Sequence, residues 1–110
     1  MSIEIDLSGK VVLVTGGAKG VGAGITEEFL RAGADVEVCG RTEVDRTPAL
    51  AGAEARFTRV DVRDEEQVAA WVDDVVRRRG RIDVVVNNAG GAPYAELATA
   101  SPRFHRKITE

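Results

Sequence analysis

The residues best equipped for chemistry stand near the start of the chain, in the run Thr15-Gly16-Gly17-Ala18-Lys19-Gly20-Val21-Gly22. Glycines this dense let a backbone turn tightly and let another molecule approach it closely. The run follows an apolar stretch, Val-Val-Leu-Val at 11–14, and leads into a helical pattern. A helix start offers main-chain N–H groups to an anion, with the helix dipole behind them. The chemistry on offer is recognition of a phosphate or pyrophosphate. The spacing is GxxxGxG. It is not GxGxxG, because Ile25 stands three residues after Gly22, and no Gly-Lys-Ser/Thr follows to make a P-loop. Lys19 favours an anion, since a lysine at a helix N-terminus meets the positive end of the dipole unless negative charge is bound there. A tight turn with a solvated lysine is the reading these residues leave open by themselves.

The elements that must position this loop follow from periodicity. Residues 11–14 are apolar at every position, as in a strand buried on both faces of a parallel sheet. Residues 20–32 predict a helix with a stripe of Val21, Ile25, Phe29 and Ala32, closed by a left-handed Gly33. Residues 35–40 predict a second strand with Val36 and Val38 on one face, although Glu37 sits uneasily in a strand buried on both. Residues 42–53 contain Pro48 and Gly52, show little periodicity and read as a loop or a short helix. Residues 55–60 predict a third strand. Asp64 begins the clearest helix, with Gln67 completing a capping box and Val68, Trp71, Val72, Val75 and Val76 as its stripe. Arg77 to Arg79 suit the dipole of its last turn, and Gly80 ends it. Residues 82–86 predict a fourth strand, and Ser101-Pro102 an N-cap and first position of a last helix.

Strands alternating with helices imply βαβ units with right-handed crossovers. The predicted fold class is α/β: a Rossmann-type doubly wound parallel sheet, here its N-terminal half, with about four strands in the order 3-2-1-4. Residues 1–110 are expected to form one dinucleotide-binding segment, the N-terminal part of a single domain. There is no internal repeat, low-complexity segment or linker.

Two further motifs fall at strand ends. Asp61-Val62 follows the third strand, and Asn87-Asn88-Ala89-Gly90 follows the fourth. With Thr-Gly-x-x-x-Gly-x-Gly ahead of them, in this order, the chain resembles the short-chain dehydrogenase/reductase family in its TGxxxGxG and NNAG branch. The extended branch spaces its glycines as TGxxGxxG and is matched less well. The resemblance implies that Gly16, Gly17, Ala18, Lys19, Gly20, Val21 and Gly22 hold the pyrophosphate and nearby ribose of a nicotinamide cofactor. It implies that Asp61 and Val62 flank the adenine, and that Asn88, Ala89 and Gly90 lie along the ribose on the nicotinamide side.

Cofactor choice is read at the end of the second strand. NAD-binding folds usually carry Asp or Glu there, about 20 residues past the glycine loop, to bond the ribose 2′-OH. Here the residues are Gly40-Arg41. A guanidinium suits a 2′-phosphate, and Lys19 adds a second charge. NADP(H) is therefore expected over NAD(H), with Glu43 the one nearby counter-indication.

The family's catalytic Ser and Tyr-x-x-x-Lys have no match. Tyr94 is followed four residues later by Ala98, and the lysines are Lys10, Lys19 and Lys107. No catalytic residue is assigned, and the 110-residue chain alone is expected to be inactive. Ser101 reads as a helix cap, Tyr94 as a loop residue and His105 as solvated. The expected function is the cofactor-binding part of an oxidoreductase moving hydride between nicotinamide and an alcohol or carbonyl substrate. A truncated, non-catalytic dinucleotide-binding protein and a nucleotide-sugar epimerase relative are the alternatives.

Composition bounds the rest. The chain is 44% hydrophobic and 30% charged with a formal charge of −3, which gives no electrostatic case for nucleic acid or membrane. The run Arg77-Arg78-Arg79-Gly80-Arg81 reads as a solvated helix end. One cysteine, Cys39, permits no internal disulfide and fits a reducing compartment, so the expected location is cytoplasmic. One Cys and one His are too few for a Cys/His zinc site, and no metal is expected. A homo-oligomer is a possible state by resemblance.

Overall fold

The computed structural model describes residues 5–50 and 52–88. In chain order its elements are β1 (Val11–Thr15), α1 (Gly20–Arg31), β2 (Asp35–Gly40), β3 (Ala49–Leu50), β4 (Ala53–Glu54), β5 (Arg56–Arg59), α2 (Glu65–Arg79) and β6 (Val84–Asn87). A strand apolar almost throughout has no face to give to water, and β1 is buried at every position. It pairs in parallel with β2 on one side and β6 on the other, and β2 pairs in parallel with β5. The sheet order β5-β2-β1-β6 is the expected 3-2-1-4.

Alternation along β1 divides the core between the two faces of the sheet. Val11 and Leu13 face α2 and meet Val68, Trp71, Val72 and Val75. Val12 and Val14 face α1, together with Val36 and Val38 of β2 and Leu30 of α1. The α2 stripe is buried as its spacing predicts. The α1 stripe is not: Val21 is 76% exposed, and the buried residues of α1 are Gly22, Thr26 and Leu30. Gly22 must lie against the main chain of the glycine loop, and this fixes the rotation of the helix. One residue is about 100° of turn at 3.6 residues per turn, so Val21 is carried off the sheet while Ile25 and Phe29 stay half-buried.

Both helices end as their glycines predict. Gly33 stands at φ 92°, where an L side chain is strained, and its N–H reaches the Leu30 carbonyl at 3.0 Å. The Ala34 N–H reaches Phe29 at 3.1 Å, which completes a Schellman motif. Gly80, at φ 81°, closes α2.

Two expectations are corrected. Residues 42–48 are a loop, as expected, but after Pro48 β3 and β4 pair as a short antiparallel ladder, with Ala49 opposite Glu54. The arginines at the end of α2 are not simply solvated. Glu37, with no exposed surface, accepts a two-pronged hydrogen bond from Arg78 at 3.0 and 3.1 Å and another from the Arg79 Nε at 2.6 Å. Arg78 also grips Asp74 on its own helix at 2.8 Å. These bonds, chiefly that to Glu37, hold the Arg78 guanidinium pKa above its ordinary value. This explains Glu37 in a buried strand: its charge is paired, and α2 is tied to β2 through it.

Candidate functional site

Parallel strands all end on the same edge, and the candidate residues gather there. Gly16 follows β1, Arg41 follows β2, Asp61 lies two residues past β5, and Asn88 follows β6. Main-chain bonds tie these ends together: the Gly16 N–H donates to the Cys39 carbonyl at 2.8 Å, and the Val60 N–H to Gly40 at 2.9 Å.

The glycine loop is compressed against α1. A Cβ built on Gly22 would sit 1.9 Å from the Gly16 carbonyl oxygen and 2.6 Å from the Asn88 amide nitrogen. A Cβ on Gly17 would meet Val38, Thr26 and Val14 at 2.6–2.9 Å. The loop is also fastened from outside. The Thr26 hydroxyl donates to the Gly17 carbonyl at 2.9 Å, and the Asn88 amide to the Gly16 carbonyl at 3.3 Å. Thr15, level with Asn87 in the ladder, donates to its side-chain oxygen at 3.1 Å. Asn87 thus holds the end of β1, and Asn88 holds the loop that follows it.

The two helix starts differ. At α2, the Asp64 carboxylate accepts from the Glu66 and Gln67 N–H groups, and Glu65 and Glu66 add negative charge to the first turn. At α1, Lys19 holds the N-cap position without a side-chain cap, and the first turn carries no acid. The α1 start thus lacks the side-chain cap and first-turn acids that the α2 start has. Lys19 and Val21 are exposed, and Ala18 is half-buried beside the α1 layer.

Arg41 is exposed at the end of β2, and its carbonyl accepts from the Arg59 Nε at 3.1 Å. Asp61 is held by Arg63, whose Nε and Nη2 donate at 3.1 and 3.0 Å, and by the Arg63 N–H at 3.0 Å. The Arg63 side chain first, then its N–H, pull the Asp61 carboxyl down to about 2. Gln67 departs from a standard capping box. Its Oε1 accepts from the Asp61 N–H at 2.9 Å, while its Nε2 donates to Asp64 at 3.0 Å. Val62 is half-buried against the α2 layer.

Thr26, Arg59, Arg63 and Gln67 support the site but were not singled out for it. Gln67 had a local signal as a cap, yet its reach to Asp61 depends on how the β5–α2 loop folds back. Ala89 and Gly90 lie outside the described residues, as do Tyr94, Ser101 and His105. Among the described residues no helix is long and apolar enough to cross a membrane.

An open parallel sheet with a glycine-rich first turn into a helix places the chain in the Rossmann-like α/β class of dinucleotide-binding folds. The short chain dehydrogenase family model matches residues 10–108, and the chain belongs to that family of oxidoreductases. It is 48% identical over 107 residues to an L-fucose dehydrogenase of Oryctolagus cuniculus, covering 94% of this chain and 37% of that protein. Two solved structures are similar. An NADH-dependent reductase complexed with NAD is 33% identical, with a TM-score of 0.69 over 77% of this chain and 38% of that one. A Pseudomonas aeruginosa RhlG/NADP complex is 31% identical, with a TM-score of 0.69 over 82% of this chain and 37% of that one. The chain therefore spans little more than a third of the length of these relatives.

Proposed function

We propose that residues 1–110 are the N-terminal, NADP(H)-binding part of a single-domain oxidoreductase that moves hydride between nicotinamide and an alcohol or carbonyl carbon. The observation that carries this reading is the uncapped start of α1 beside a cradle that a single Cβ at Gly22 would fill. Main-chain N–H groups from Gly16 to Gly22 receive the pyrophosphate, and Lys19 adds its charge beside the 2′-phosphate. Asp61 and Val62 flank the adenine, with Asp61 ionised and held in place by Arg63. Asn88, Ala89 and Gly90 line the ribose on the nicotinamide side. Bound there, the nicotinamide supplies or accepts the hydride.

Arg41 favours NADP(H) over NAD(H). It stands where an acid would bond the 2′-OH, and its guanidinium pairs with a 2′-phosphate. The similar structures include one with NAD and one with NADP, so the preference rests on Arg41 and Lys19. Residues 1–110 contain no Tyr-x-x-x-Lys, so this polypeptide by itself is expected to bind cofactor without turnover. The test is titration of NADPH and NADH into the purified protein and Arg41→Ala. NADPH binding should weaken about tenfold or more in the variant, as for loss of a charged hydrogen bond. Equal weakening of both cofactors removes Arg41 from the 2′-phosphate.

A further inference from the structure

We infer that Arg59 is a second residue setting cofactor choice: it holds Arg41 in place and offers its own guanidinium to the 2′-phosphate. This rests on the NADP(H) reading above. Arg59 is the last residue of β5 and lies opposite Gly40, the residue before Arg41. The bond from the Val60 N–H to the Gly40 carbonyl, 2.9 Å, locks the two strand ends together. The Arg59 Nε then donates to the Arg41 carbonyl at 3.1 Å, which fixes the backbone that carries the Arg41 side chain. An arginine has five N–H donors. The Nε spends one of them, and the Nη groups have no carboxylate partner among the described residues.

Strand alternation gives the direction. Arg59 is two residues from Phe57 and so leaves the sheet on the same face. Phe57 packs in the layer of Ile25 and Phe29, the layer of α1. Lys19 stands at the N-terminus of that helix. Lys19, Arg41 and Arg59 therefore stand at one edge of the sheet, the edge where β1, β2 and β5 end. None of the three is ion-paired among the described residues, whereas Arg63, Arg78, Arg79 and Arg81 each grip a carboxylate. Asp61, which feels the Arg41 charge, is already gripped by Arg63 in a two-pronged bond, so the exposed cations at this edge are open to an outside anion. One group on a dinucleotide distinguishes the 2′ side, and that is the phosphate.

The test uses the purified protein with Arg59→Ala, Arg59→Gln and Arg59→Lys, titrated with NADPH and with NADH by nicotinamide fluorescence. Arg59→Ala and Arg59→Gln should weaken NADPH about five- to tenfold, the scale of one partly solvated charged hydrogen bond. NADH should stay within about twofold, and Arg59→Lys should recover part of the loss because charge remains without the planar fork. A residue that only props the strand end would move both cofactors together. Equal losses, or no loss, overturn the role of Arg59 while the NADP(H) reading stands. If the unsubstituted protein binds NADH as tightly as NADPH, the reading beneath this inference fails, and the inference fails with it.

Discussion

Gly22 occupies a position that no larger side chain can share with the folded loop. The Gly16 carbonyl would lie 1.9 Å from an added Cβ, and backbone cannot rotate away as a side-chain end can. Gly22→Ala is expected to cost about 1–3 kcal/mol, the usual range for overpacking, divided between stability and cofactor affinity. Thermal melts with and without NADPH separate the two shares, and an unchanged melt with unchanged affinity refutes the close approach. Cys39 makes a different kind of statement. Burial pushes its thiol from 9.0 up to about 12. The unfolded chain therefore loses this proton as pH passes 9, while the folded chain keeps it until about 12. Fewer protons on the unfolded state mean that stability falls as pH rises across this window, by at most about 1.4 kcal/mol per unit. Urea midpoints at pH 8 and pH 10 should diverge more for the native protein than for Cys39→Ala. Parallel behaviour would show that the thiol does not sense the buried strand.

At the scale of elements, α2 is fixed to the sheet by two unlike devices. Its apolar stripe of Val68, Trp71, Val72 and Val75 fills one face of the core. Its C-terminal arginines then reach Glu37 on the sheet, which has no exposed surface. Removing one partner of a buried pair leaves charge uncompensated, at about 3–5 kcal/mol. Arg78→Ala should fall at the lower end of that range, because Arg79 still holds Glu37. Denaturant unfolding measures it, and a loss under about 0.5 kcal/mol, typical of surface substitutions, would make the network ornamental. Replacing Glu37 and Arg78 together by methionine should recover much of the loss, since an apolar pair of similar size removes the desolvation cost.

At the scale of the whole molecule, the sheet has a consequence for handling. Among the described residues β6 pairs with β1 alone, leaving its other edge of Val84, Val85 and Val86 without a strand partner. A flat apolar edge is a template for another chain. A polypeptide limited to residues 1–110 is therefore expected to self-associate. Sedimentation across a concentration series checks this, and a monomer at the highest concentration counts against it.

The parallel α/β fold was legible because its signals are local. Residues 11–14 are apolar throughout, Asp64 and Gly80 bound a helix of clear period, and glycines mark the loop. Gly16 to Gly22, Arg41, Asp61 and Asn88 were legible as candidates because each stands next to a strand end, and strand ends of a parallel sheet share an edge. Other features depend on partners far away in the chain. Val21 fits a stripe by spacing, yet the approach of Gly22 to the Gly16 carbonyl turns it to solvent. Glu37 looks wrong in a buried strand until Arg78 and Arg79 arrive from more than forty positions away. Arg59 is only an arginine at the end of a short strand until register sets it against Gly40 and its Nε meets the Arg41 carbonyl. Local pattern determined which elements form and in what order. Register, helix rotation and long-range pairing are decided by contacts that exist only once those elements pack, so tertiary structure alone decided which side chains hold the site in place.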